Sequence, residues 1–187
     1  MRKITAFNFL TLNGFYKGEK EDINWHHHGG EEADFAGDAA DPERPNDLMF
    51  GRITYEMMAG FWTTEAGRMA NPRVAEGMNR SGKYVFSRTL KSASWKGTKI
   101  LHGDIVTETI RLKESSGADI TILGSGQIIT QLAAHGLIDS FTVMIDPVVL
   151  GKGTSIFGGL PGKLDLALKT SRIFTSGVVL LTYEVKK

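Results

Sequence analysis

The 187-residue chain contains no cysteine. That excludes disulfides, thiolate zinc sites, iron–sulfur clusters and a cysteine nucleophile, and it fits a reducing cytoplasm. An excess of either charge is also missing. The 22 Lys and Arg residues against 21 Asp and Glu leave a formal net charge of +1, so no broad field favours nucleic acid or an anionic membrane. No run approaches the roughly 18 apolar residues that a membrane span needs. The N-terminal MRKITAFNFLTLNG begins basic, but Asn8, Thr11 and Asn13 interrupt its apolar stretch. It reads as a first strand rather than a cleavable leader, and a cytoplasmic protein is expected. Internal repeats and low-complexity linkers are lacking too. Length and the 41% hydrophobic content suit one domain, 1–187, with a single sizeable core.

Strands and helices alternate along the first two thirds. Residues 2–9 form the first strand, closed by the turn pair Asn13-Gly14, and residues 17–30 are a polar loop carrying Trp25-His26-His27-His28. A short acidic helix is expected from Glu31 to about Ala40, where Pro42 and Pro45 break it. Next come an apolar run at 46–50, a helix through Met58, strands at 83–86 and 99–101, and a helix over 105–114. The buried strand Asp119–Leu123 then leads into a helix whose inward residues are Ile128, Ile129, Leu132 and Ala133, with Gly136 as its stop. Three strand-like runs follow, at 138–145, 164–174 and 178–185. The pattern predicts an α/β protein: a three-layer αβα sandwich whose mostly parallel mixed sheet ends in antiparallel C-terminal strands.

Three strand-to-helix or strand-to-loop junctions carry phosphate-binding chemistry. Gly124, Ser125, Gly126 and Gln127 follow the 119–123 strand. Glycines there let the backbone approach a diphosphate, and the helix start supplies free N–H groups. Ile129 stands where a third glycine would complete the dinucleotide fingerprint, so a standard Rossmann motif is absent. Gly51, Arg52 and Thr54 open a second helix, and Ser87-Arg88-Thr89 closes a third strand. The plainer account of each is a tight turn, a capping residue or a solvated charge. Together they converge on the strand edge where α/β sheets bind ligands, and a dinucleotide would occupy all three. For the consecutive histidines a solvated loop is expected, and for Phe61-Trp62 a place in the core.

TLNGFY, LMFGRITYE, VFSRTL, LGSGQIITQLAAHGLID and PVVLGKGTSIF occur in the order found in dihydrofolate-reductase-like proteins. The sequence is similar to the C-terminal reductase domain of the bifunctional riboflavin-biosynthesis enzyme, from about residue 3 to the C-terminus. The resemblance implies the dihydrofolate reductase fold, NADPH as hydride donor and a homodimer. By matching position, Gly51, Arg52 and Thr54 are expected at a phosphate, and Ser87 and Arg88 at the ribose 2′-phosphate and adenine. Gly124, Ser125, Gly126 and Gln127 form the diphosphate turn, while Ala6, Leu12, Asn13, Gly14 and Ile122 surround the nicotinamide.

The chain departs from the family pattern twice. The first turn, usually S-x-D-G, reads Thr11-Leu12-Asn13-Gly14, so any carboxylate chemistry there is lost. Ser140 replaces the acid that usually follows the G-L-(I/V)-D block. Hydride transfer to a C=N or C=O bond needs a nearby proton source, and Asp34 is the candidate, beside Phe35; the plainer account is that Glu31, Glu32 and Asp34 favour a helix N-terminus. The expected function is an NADPH-dependent reductase of a small heterocycle, pterin-like or aminouracil-like. A protein that senses or sequesters NADP(H) without turnover is the alternative.

Overall fold

The computed structural model describes residues 1–26, 31, 32, 43 and 46–186. Ten strands and five helices follow one another among them. The strands are β1 (Ile4–Thr11), β2 (Phe15–Gly18), β3 (Asp47–Gly51), β4 (Lys83–Phe86), β5 (Thr98–Leu101), β6 (Ile120–Leu123), β7 (Ser140–Asp146), β8 (Gly153–Ser155), β9 (Leu166–Ile173) and β10 (Val179–Val185). The helices are α1 (Arg52–Trp62), α2 (Glu65–Ala70), α3 (Pro72–Arg80), α4 (Ile105–Glu114) and α5 (Gly126–Ala134).

Eight strands form one sheet in the order β5-β4-β3-β6-β1-β7-β10-β9, and β2 pairs with β8 in a separate ribbon. The pairs from β5 to β7 are parallel, whereas β10 runs antiparallel to both β7 and β9. This is the mixed sheet expected from the sequence. Strand alternation sends side chains to two opposed cores. Ile4, Ala6, Met49 and Ile122 pack with Leu112 of α4 and Ile128, Ile129 and Leu132 of α5. Phe7, Leu48, Phe50 and Val85 pack with Tyr55 of α1 and Val74 and Met78 of α3. In β6 all four residues are buried, as a central parallel strand covered on both faces requires.

Local chemistry sets the helix ends. Asp104 accepts from the Thr107 N–H to start α4, and Asn71 accepts from Val74 N to start α3, with Pro72 in the first turn. Gly136, at φ +65°, stops α5 as expected. The 65–80 segment, which the sequence reading passed over, holds α2 and α3. Lys17 and Gly18, expected to begin a loop, instead end β2, and α1 runs four residues beyond Met58. No described helix is long and apolar enough to cross a membrane.

Lys83, 1% exposed, holds the start of β4. Its ammonium donates to the carbonyls of Asn79, Ser81 and Lys96 at 3.1, 2.8 and 3.1 Å and stands 4.6 Å from the centre of the Trp95 ring. Burial pulls its pKa from 10.5 down to about 8, against the opposing pull of Asp47. The unfolded chain therefore keeps a proton between pH 8 and 10.5 that the folded chain releases, so stability rises with pH across that window. Urea unfolding at pH 7.5 and 9.5 should show the wild type gaining about 1–2 kcal/mol relative to Lys83→Met. A constant difference between the two proteins would contradict this.

Candidate functional site

β3, β4 and β6 end at one edge of the sheet. Gly51 is the register partner of Phe86, and Met49 is that of Ile122. The three junctions that follow these strands thus lie within two strand spacings, about 10 Å. Side-chain contacts tie two of them together. The Gly51 N–H donates to Ser125 Oγ at 3.0 Å, and Ser125 Oγ donates to the Leu123 carbonyl at 3.2 Å. A Cβ on Gly124 would come 3.3 Å from Thr54 Cγ2. Gly124 and Ser125 both adopt left-handed backbone, at φ +58° and +55°. This is unusual for serine, and it turns the chain sharply from β6 into α5. The N–H groups of Gly126 and Gln127 begin α5 without intrahelical acceptors. Tyr16 of β2 packs against Gly126: a Cβ there would lie 2.5 Å from the ring's Cε1 and Cζ.

The two arginines proposed for phosphate differ in their surroundings. Arg52 is paired with Glu56 at 2.8 Å along α1. Arg2, Arg68, Arg80, Arg111 and Arg172 likewise each meet a carboxylate. Arg88 is exposed and meets none among the described residues. Its turn is fixed by Ser87, whose Oγ accepts from the N–H groups of Thr89 and Leu90 at 3.2 and 2.9 Å.

The residues expected around a nicotinamide fall into two groups. Ala6 and Ile122 are register partners on β1 and β6, and both residues are buried, at 1% and 0% exposure. Leu12, Asn13 and Gly14 form the turn after β1, where Gly14 takes φ +80°. Asn13 accepts from Thr11 Oγ1 at 2.8 Å and donates to the Leu150 carbonyl at 2.8 Å, so it fastens this turn to the segment after β7. Beside it runs a groove of about 440 Å³, lined in part by Gly18, Asp22 and Leu150. Ser140 bonds Thr5 at 2.8 Å between β7 and β1. Asp34 lies outside the described residues.

One element of the edge escaped the sequence reading. His26, expected in a solvated loop, is 7% exposed. Its Nδ1 lies 2.9 Å from Oδ2 of Asp146, a carboxylate with no exposure, and its ring stacks on Phe9 at 3.6 Å. Asp146 ends β7 and is the register partner of Thr11, so the pair sits next to the 11–14 turn. An imidazole held by a buried carboxylate has a fixed tautomer and can store a proton. Phe61 was expected in the core but is 42% exposed. It lies on the outer side of α1, while Trp62 packs inward. Among the described residues no group of His, Asp and Glu could hold a metal ion.

Comparison with known proteins places this geometry. The model of the RibD C-terminal domain matches residues 2–180. The uncharacterized protein YyaP of Bacillus subtilis (strain 168) is 27% identical over 97% of this chain and 94% of its own. Among solved structures, a Shewanella sp. PV-4 protein named for riboflavin biosynthesis superposes with TM-score 0.76 at 20% identity over 99% of each chain. Dihydrofolate reductase from Enterococcus faecalis, solved with NADP(H), superposes with TM-score 0.66 at 14% identity over 99% of this chain and 97% of its own. The chain therefore belongs to the RibD C-terminal domain family and carries the dihydrofolate reductase fold.

Proposed function

We propose that the protein is a reductase that takes NADPH as its hydride donor and a small heterocycle, pterin-like or aminouracil-like, as acceptor. Family membership supports reduction as the reaction class, and the dihydrofolate reductase likeness, with a relative solved with NADP(H), supports a nicotinamide cofactor. The observation that carries the choice of NADPH is Arg88. It is an exposed guanidinium that meets no carboxylate among the described residues, on the edge where the 51–54 and 124–127 junctions also end.

The residues present fit such a cofactor. The first N–H groups of α5 suit a diphosphate, and Gly51 and Gly124 bring backbone close to it. When bound, the reduced nicotinamide would supply a hydride. The chain's part is to hold the phosphates, position the ring along β1 and β6, and store a proton near the 11–14 turn, where His26 and Asp146 stand. A ribose 2′-phosphate carries nearly two negative charges, and guanidinium grips it bidentately. Arg88→Ala should weaken NADPH binding roughly ten- to a hundredfold and leave NADH binding nearly unchanged. Arg52→Ala should do less, because Glu56 already neutralises that charge. Fluorescence titration of both cofactors decides; equal losses for NADH and NADPH would overturn the assignment. Turnover is tested by NADPH oxidation screened over pterins, folates and aminouracils.

Self-association belongs to the same reading. One face of the outer strands carries Val179, Leu181 and Tyr183 of β10 beside Ile173 and Leu168 of β9. The register shift at Thr182/Tyr183 keeps Leu168 and Ile173 on the same side, and they are 54% and 79% exposed. An apolar patch at an unpaired sheet edge favours a second copy. Sedimentation should show a homodimer at micromolar concentration, and Leu168→Lys with Ile173→Lys should dissociate it. A monomeric wild type would refute the assembly.

A further inference from the structure

We infer that the groove between residues 18–22 and 150–152 takes the tail of the heterocycle that is reduced, and that this tail is uncharged and apolar rather than phosphorylated. The inference rests on the reductase reading above and narrows its substrate class. The groove adjoins the 11–14 turn, because the carbonyl of its wall residue Leu150 accepts from Asn13 Nδ2 at 2.8 Å. A ring held at that turn therefore has the groove beside it, and about 440 Å³ is within the range of small-molecule sites. The rim of the groove is apolar. Leu12, Ile23 and Val149 are 67%, 38% and 63% exposed, and they come from three separate segments. The Leu12 N–H donates to the Val148 carbonyl at 2.8 Å, which sets Leu12 beside Val149, and Ile23 follows Asp22 of the groove wall. Leu150 carries the apolar surface inward, its Cδ1 lying 3.5 Å from where a Cβ on Gly18 would stand. Apolar residues exposed singly need no ligand, but three that converge on one opening mark a binding groove.

Charge decides against a phosphate. Among the described residues that line the groove are two carboxylates, Glu19 and Asp22, and one ammonium, Lys152, which pairs with Glu19 at 3.5 Å. Lys17 of β2 is held by both oxygens of Glu21 at 2.6 Å, and Lys20 lies outside the lining. No uncommitted cation therefore lines the groove among the described residues, the reverse of the Arg88 turn. A phosphate ester brings nearly two negative charges and would face the carboxylates of Glu19 and Asp22, an arrangement that rejects it. An apolar tail meets Leu150 and the rim, gains by leaving water, and carries no charge for those carboxylates to repel.

The test uses a pterin and a 6-aminouracil core, each carrying either a propyl tail or the same tail ending in a phosphate ester. The four compounds are titrated into the wild type saturated with NADP⁺ while the amide resonances of Gly18, Leu150 and Gly151 are followed. For at least one core the propyl form should move these amides and bind about tenfold more tightly than its phosphate. Leu12→Ser with Val149→Ser should weaken the propyl form about tenfold. Glu19→Gln, which releases Lys152, should narrow the preference about fivefold. Phosphate forms that bind as tightly as the propyl forms, or propyl forms indifferent to the loss of Leu12 and Val149, would overturn the inference. So would still amides at the groove with all four compounds while NADP⁺ moves the three junctions, a result that leaves the cofactor reading standing. NADP⁺ that moves none of the junctions would sink both.

Discussion

Replacing Asp146 by Ala should lower the unfolding free energy by about 3 kcal/mol, because it leaves a buried imidazole facing an apolar gap. The carboxylate has no exposure and meets His26 at 2.9 Å, and both residues make further polar or ring contacts. Across the strand ends the pair holds the loop that follows β2 against Phe9, which itself stands edge-on to Phe7 at 5.4 Å. Asp146→Asn keeps an oxygen for the Nδ1 hydrogen and should cost about 1 kcal/mol. Urea unfolding of both variants gives the comparison. An alanine variant within 1 kcal/mol of wild type would mean that the loop holds without the pair.

Gly126→Ala is the second change with a large expected effect. In an open helix this substitution stabilises by roughly 1 kcal/mol. Here the new methyl would lie 2.5 Å from two carbons of the Tyr16 ring, so the ring must leave the first turn of α5. Tyr16 belongs to the β2–β8 ribbon, whose register already shifts between Phe15 and Lys17. Displacing it should disturb the surface offered to the diphosphate and weaken NADPH binding by more than about tenfold. The double variant Gly126→Ala/Tyr16→Ala should recover the stability of the helix while still binding poorly. An unchanged NADPH affinity in Gly126→Ala would show that Tyr16 is no part of the site.

Much of the fold was legible because period and punctuation agreed. DITIL followed by Gly-Ser-Gly announced a buried strand feeding a helix, and Gly136 announced its end. The late run of apolar strands announced the antiparallel edge. α2 and α3 were readable in principle: Asn71-Pro72 is a cap followed by a first-turn proline, a signal that the polar composition of 65–80 obscured. The β2–β8 ribbon was not, since each strand is short and its pairing joins residues far apart in sequence.

The site shows the same division. The strand-end glycines and hydroxyls carry their chemistry locally, so their neighbourhood followed from topology. The inequality of Arg52 and Arg88 rests on Glu56, four residues along the helix from Arg52, a pairing that the i, i+4 spacing makes visible in the sequence. His26 could not be placed from local sequence. Its partner lies 120 residues away, and nothing near Trp25 distinguishes a buried imidazole from a solvated one.

The central claim is that one NADPH molecule spans the three junctions. The most direct measurement is amide chemical-shift mapping of the wild type during titration with NADPH. Shifts should centre on Gly51, Arg88, Gly124 and Gly126, with smaller changes at Gly14. Shifts confined to the groove at Gly18 and Leu150, or none at saturating cofactor, would contradict it.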